Sequence, residues 1–371
     1  MPVRKKKTAK QRKQELAAKK RGATLKKYNT TKSIFKGRLF EFILSEILKK
    51  SGFTGEFESN QITKDKKKLH GRGATYAPDF YGVFNIGIPF VNPLLLIVEA
   101  KYFNKKVGLK TVREFLGAYI DFSQYVKIDT KANWHKKYEK LYEIRYNYCP
   151  IFFSMKGYEK TAQAFMFAHG INYISYKNSN TIEKALQLSN ELLAQINFAT
   201  FSDTDFQKFI SIESIGNIRA KLKKPNFTKA FNRLNKYFKI LNSFIAVIDH
   251  RFPINILHKG RISQTWYKKV SLQHAGDGKF YLKKIKNKTI GEFTLAKYFL
   301  KEYVTYANKK QNLENIFKHI NVVIENKGKF EIKNLIITEA SRKLLINTML
   351  TIKIENEEEE QSPDEETDGE E

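Results

Sequence analysis

Cysteine is almost missing from this chain: among 371 residues there is one, Cys149. Intramolecular disulfides are thereby excluded, as is any cysteine-rich zinc site, and the usage suits a reducing compartment. No apolar run reaches the roughly 20 residues that a bilayer-spanning helix needs, and no signal-peptide core follows the basic start. A soluble, cytoplasmic protein without a membrane partner is expected, nucleoid-associated if the source is prokaryotic. His250, His258 and His274 are too scattered to form a metal signature. Neither a helix-turn-helix, nor a zinc finger, nor a full phosphate-cradling loop can be read.

What the chain has in excess is positive charge. Sixty-seven Lys and Arg face 38 Asp and Glu, a formal net charge of +29. Solubility does not need so much, so a polyanionic partner is implied, nucleic acid ahead of an anionic membrane surface. Compositional drift toward Lys, Asn, Phe and Tyr accounts for part of it. The charge is also polarised along the chain. Residues 4–27 carry twelve Lys and Arg against the single acid Glu15, and the last seventeen residues, 355–371, contain eleven acids. Neither end has apolar residues enough to build a core, so 1–33 reads as a disordered basic arm and 355–371 as a disordered acidic tail. The arm could track a phosphate backbone by counterion release. The tail could compete with DNA for basic surface.

The rest of the chain is organised around Tyr76 to Lys101. Tyr76-Ala77-Pro78-Asp79-Phe80 opens a half-buried segment through Phe84, an excursion broken by Pro89 and Pro93 follows, and then comes Leu94-Leu95-Leu96-Ile97-Val98-Glu99-Ala100-Lys101. That aliphatic run has the length of a fully buried strand, yet it ends in an acid, a small residue and a base. Residues two apart in a strand share a face, so Glu99 and Lys101 point to one side and Ala100 to the other. If the Asp79 segment folds back antiparallel, the two carboxylates converge into a hard-cation site beside a lysine able to position water. Mg²⁺ is the expected ion and Mn²⁺ should substitute.

Pro78-Asp79, a gap, and Glu99-Ala100-Lys101 resemble the motif of the PD-(D/E)XK, or restriction-endonuclease-like, nucleases. Upstream, Gly37-Arg38-Leu39-Phe40-Glu41 opens a helical pattern closing at Gly52-Phe53. Downstream, Pro150-Ile151-Phe152-Phe153-Ser154 leads to Gly157-Tyr158, an alanine-rich helix from Lys160 to Ala168, a stop at Gly170 and a strand from Ile171 to Tyr176. This succession is similar to the Mrr-type branch, over residues 34–199. The resemblance implies an α/β fold with a mixed sheet flanked by helices. It also implies Mg²⁺-dependent hydrolysis of DNA, with Asp79, Glu99 and the Ala100 carbonyl on the metal and Lys101 orienting water. Glu41, at the edge of the stripe Phe40, Ile43, Leu44, Ile47 and Leu48, matches a glutamate the family often carries on its first helix, for an outer or second-metal contact. A first-turn acid favoured by the helix dipole is its bland alternative.

DNA contacts are expected from Lys110 and Arg113, in the first turn of an amphipathic helix with Val112, Phe115, Leu116, Tyr119 and Ile120. Arg72, in the Gly71-Arg72-Gly73 turn, could reach a phosphate, and the Lys- and Tyr-rich segment 127–148, with Trp134, could face DNA. A helix from Ile182 to Ile196 closes the domain. Residues 200–354 read as an α+β accessory domain, with one long helix carrying Phe231, Leu234, Phe238, Leu241, Ile245 and Ile248, a helix from about Phe293 to Ala307, and strands near 330–337 and 350–354. Restriction of foreign or modified DNA is the leading biology, a palindromic cut implying a homodimer or paired sites. The alternatives are a structure-selective, junction-resolvase-like repair nuclease, a catalytically silent DNA-binding module, and, on charge and aromatic content alone, an RNA-binding or RNA-cleaving protein.

Overall fold

The structure, a computed structural model, describes residues 33–34, 36–54, 68–84, 92–102, 104–124, 146–195, 225–249, 252–259, 269–276, 278–284, 288–295, 297–326 and 329–347. The basic arm to residue 32, the acidic tail, the segment 127–145 with Trp134, the boundary expected at 199/200, His250 and the strand expected near 350–354 lie outside them. The chain divides into two compact units, residues 1–43 with 184–239 and residues 44–183 with 240–371. Among the described residues no helix is long and apolar enough to cross a membrane.

In the smaller unit lie the start of helix α1 (36–50), the later part of α4 (Asn180–Leu193) and nearly all of α5 (Pro225–Ile240). Residues recurring at three- and four-residue intervals build one buried stripe on α5, comprising Ala230, Leu234, Tyr237 and Phe238. Phe42 of α1 meets Phe238 edge-on, with ring centroids 5.7 Å apart. Arg233 of α5 donates to Glu191 of α4 at 2.6 Å.

The larger unit is built on two sheets. The first has five strands: β1 (Phe53–Thr54), β4 (Phe80–Phe84), β5 (Leu94–Lys101), β6 (Asn147–Ser154) and β7 (Asn172–Ser175), in that spatial order. β1 and β5 each run antiparallel to β4, whereas β5, β6 and β7 are parallel. Central β5 is covered on both faces, which is why Leu95, Leu96, Ile97 and Val98 form an unbroken apolar run instead of alternating. Helix α2 (Leu109–Ser123) connects β5 towards β6, and it buries Val112, Phe115 and Phe122; Phe115 stands edge-on to Phe152. Helix α3 (Lys160–Ala168) joins β6 to β7 and stops at Gly170, whose φ of +65° glycine adopts without strain. A small hairpin, β2 (Leu69–His70) with β3 (Thr75–Tyr76), precedes β4.

The second sheet is a closed barrel of β8 (Leu241–Ile248), β9 (Phe252–Lys259), β10 (Lys269–His274), β11 (Lys279–Lys284), β12 (Thr289–Thr294), β13 (His319–Asn326) and β14 (Lys329–Ile337), in the order β10-β11-β12-β9-β8-β13-β14. Parallel pairing of Lys269 with Ile336 and Val270 with Ile337 closes it. Helices α6 (Lys297–Lys309) and α7 (339–347) complete the unit. The fold is thus mixed α/β; in the stretch expected to be an α+β accessory domain, helices accompany strands that close into a β-barrel.

Two expected helices are corrected by the barrel. The stripe from Phe231 to Ile248 is helical only to Ile240; from Leu241 onward the chain is strand. Asn242 and Ser243 are poor helix formers, and four of the five residues from Phe244 to Ile248, all but Ala246, are aromatic or β-branched, so pairing with β9 decides against a helix. Likewise Phe293 and Thr294 end β12, and the helix begins at Lys297. Gly291 permits this strand its place: a Cβ there would fall 2.9 Å from the Leu257 carbonyl oxygen of β9.

Sheet and barrel share one continuous cluster of buried side chains that includes Leu95, Ile97 and Phe152 with Phe244, Phe280 and Phe293. A buried polar chain also crosses the seam. The Tyr176 hydroxyl donates to Asn255 Oδ1 at 2.8 Å, Asn255 Nδ2 donates to Ser243 Oγ at 2.6 Å, and Ser51 Oγ lies 3.0 Å from Ser243 Oγ. Within the barrel, the β8–β9 turn is tied to β13 by Asp249, whose carboxylate accepts the backbone N–H groups of Phe317, Lys318 and His319. Asp249→Ala should therefore destabilise the fold by about 2 kcal/mol, the scale for charged hydrogen bonds to backbone. Urea unfolding checks it, a midpoint equal to wild type being the contrary result.

Candidate functional site

The site forms where β5 runs out of β4 to pair with. The ladder between these strands ends at Phe80 opposite Val98, leaving the Ala100 N–H without a β4 main-chain partner. Asp79 supplies one: its Oδ2 accepts the Ala100 N–H at 2.7 Å, while its own N–H donates to the Val98 carbonyl at 3.1 Å. On the other side, the Lys101 carbonyl accepts the Met155 N–H from the end of β6 at 3.3 Å. The end of β5 is thereby held from both neighbours.

Alternation does the rest. Ala100 turns its methyl into the core, 6% exposed. Glu99 and Lys101 emerge on the opposite face and close an ion pair, with side chains 22% and 24% exposed. They are thus partly withdrawn from water yet reachable by a ligand, which strengthens their electrostatics without closing the site. The location is the carboxyl end of parallel strands, where open α/β sheets bind ligands. Burial pushes the phenol of Tyr102, next in the chain, above its ordinary range.

Asp79, Glu99, Ala100 and Lys101 are therefore brought together, while the other expected site residues stand on separate elements. Glu41 belongs to the smaller unit, where Arg38 donates to it at 2.6 Å. Lys110 and Arg113 are exposed on the first turn of α2, and the Arg113 guanidinium sits 5.6 Å from the Phe165 ring centre on α3. Arg72 is exposed in the β2–β3 turn. That turn is fixed by Asp121 of α2, which no sequence pattern had singled out. Its carboxylate accepts the N–H groups of Gly73 at 2.9 Å and Ala74 at 3.2 Å, and its carbonyl accepts that of Arg72 at 3.0 Å. Gly71 allows the approach, since a Cβ there would collide with Asp121 Oδ2.

Cys149 does not enter this chemistry: burial pushes its thiol up to about 11, and Asn172 donates to its sulfur at 3.3 Å. Among the described residues no group of three or more His, Cys, Asp or Glu is placed to hold a metal ion. What the strand end offers is a smaller, all-oxygen set of two carboxylates and a backbone carbonyl. An all-oxygen set of this kind suits a hard cation of the Mg²⁺ type, which keeps water in its remaining positions.

No protein-family model matches the chain, and no curated protein matches it. Among solved structures, the crystal structure of a protein of unknown function, AF1548, aligns with a TM-score of 0.30 and 9% identity over 54% of this chain and 98% of its own.

Proposed function

We propose that this protein is a Mg²⁺-dependent DNA endonuclease hydrolysing phosphodiester bonds at the end of β5, on a restriction-endonuclease-like core. The observation that carries the reading is the clamp of Asp79 onto the Ala100 N–H. It sets one carboxylate beside a strand end that presents a second carboxylate and a lysine. Asp79 and Glu99, with the Ala100 carbonyl, would hold the cation. When bound, a divalent cation neutralises phosphoryl charge and acidifies water. The chain supplies the remainder. The Ala100 N–H fixes the Asp79 rotamer, and the paired strands β4 and β6 hold both acids on a rigid support. The Lys101 ammonium, on the same face as Glu99, orients the attacking water and offsets the negative charge that grows on the phosphoryl oxygens.

Supercoiled plasmid incubated with Mg²⁺ or Mn²⁺ tests the proposal. Nicking or linearisation is expected, abolished by chelator and by Asp79→Ala; a wild-type protein that binds DNA and cuts no substrate overturns it. Restriction of foreign or modified DNA is the proposed biology, with junction resolution the alternative. Preference for plasmids of one methylation state supports restriction, and preference for four-way junctions supports resolution. The second reading is a silent DNA-binding module. It is favoured by the ion pair that already engages Lys101 with Glu99.

A further inference from the structure

We infer that the outward face of α5 is a docking surface for the phosphate backbone of double-stranded DNA, in a unit separate from the one that holds the candidate site. The helix carries Lys229, Arg233, Lys236 and Lys239 and no acid. Its buried stripe commits the opposite side to the core, so Lys229, Asn232, Arg233, Lys236 and Lys239 all stand exposed. Thr228, Lys229, Asn232, Arg233 and Lys236 line an open recess of about 590 Å³. The basic residues fall at four- and three-residue spacings, the interval that keeps side chains on one helical face. From Lys229 to Lys236 the face extends about 10 Å at 1.5 Å per residue, enough to meet successive phosphates along a groove edge.

The chemistry selects the partner. Ammonium, guanidinium and amide groups in line match phosphate oxygens, and Asn232 adds a donor without charge. Binding of single strands uses exposed rings on which bases stack, and among the described side chains of this face none is aromatic. Glu191 of α4 places a carboxylate against the face. At 2.6 Å from Arg233 it offsets a single charge and holds the guanidinium in place. The inference rests on the nucleic-acid reading of the net charge and not on cleavage.

The test is the salt dependence of duplex binding by the full chain, measured with a 30-base-pair DNA of mixed sequence and no divalent cation. A triple variant, Lys229→Gln with Arg233→Gln and Lys236→Gln, is compared with Lys288→Gln, Lys309→Gln and Lys310→Gln. The second triple removes equal charge from exposed positions of the larger unit. The helix triple should reduce the slope of log affinity against log salt by about 2 to 3, and affinity at ~0.1 M salt by about 10- to 100-fold. The control triple should change both far less. Equal losses in both triples overturn the inference by reducing it to net charge. Tighter binding of single strands, of duplex RNA or of phosphatidylserine vesicles than of duplex DNA also overturns it. Should the triple fail to melt cooperatively, Lys236→Gln alone must still lower the slope by about 0.9. A chain that binds through α5 and never cuts fails as a nuclease only; a chain that cuts with unaltered binding in the helix triple fails on this surface only.

Discussion

Lys101→Ala is expected to lower the rate of Mg²⁺-dependent DNA cleavage by about 10²- to 10³-fold while leaving duplex binding and folding nearly unchanged. The rate estimate follows from the cost of removing one preorganised charge-stabilising donor from a transition state. The folding estimate follows from exposure. The Lys101 and Glu99 side chains are each about one-quarter exposed, so the pair is screened by solvent and adds at most about 1 kcal/mol to stability. Binding should persist because one of 67 cationic residues is lost and phosphate contacts contribute nearly independently. Loss in turnover without loss in affinity is thus the signature of a group that acts on the reacting phosphate. Lys101→Arg should recover little, because a planar guanidinium does not present the compact charge of an ammonium. Single-turnover cleavage at saturating protein measures it, and an alanine variant that cuts at the wild-type rate removes Lys101 from the mechanism.

The strand end was legible in the sequence because its signal is local. An uninterrupted aliphatic run stopping at Glu99-Ala100-Lys101 announces a buried strand and, by alternation, which side chains share a face. The pairing of Phe80 with Val98 then needs only a short return of the chain. Helix α3 was equally legible, its start and its Gly170 stop both written within one turn of its ends. The barrel was not. Its closure depends on Lys269 meeting Ile336 and on Glu292 lying opposite Leu257, pairings that no local period encodes. Leu241 to Ile248 shows how such pairings win: apolar spacing that suits a helix also suits a strand when Phe244, Ala246 and Ile248 are buried on one face of it, in the core cluster, while Ser243 turns to the other face. Asp121 and Glu292 were missed for a related reason. Each is a single acid whose partners lie 48 and 111 residues away along the chain.

Glu292→Gln should destabilise the larger unit by about 3 to 5 kcal/mol, the cost of leaving a buried partner charge uncompensated. Glu292 and Lys279 lie 3.4 Å apart with side chains 8% and 6% exposed. Glu292 also accepts the Ser179 hydroxyl at 2.9 Å and the Thr181 N–H at 2.8 Å, so a barrel strand satisfies the amino end of α4. The adjacent Thr294 hydroxyl donates to the Ser175 carbonyl at the end of β7. Because β5, β6 and β7 are parallel, this attachment sits at the same end of the sheet as Lys101, about 10 Å away across two strand spacings. Loosening it should therefore cost cleavage as well as stability.

Acid makes the same point. Burial alone would raise the Glu292 pKa, but hydrogen bonds from Thr181 and Ser179 and the charge of Lys279 outweigh it and hold the carboxyl below its usual value of 4.5. A depressed folded-state pKa gives stability that is present above the unfolded value and is lost as pH falls through the folded one. The wild type should lose stability as pH drops below about 4.5, and Glu292→Gln should show a flatter acid limb from a lower starting point. Lys279→Met added to Glu292→Gln should restore most of the loss at neutral pH, since the pair is then removed together. Chemical denaturation at pH 7 and pH 4 reads all three proteins, and parallel acid limbs in wild type and Glu292→Gln would show that this carboxylate is not the group that titrates.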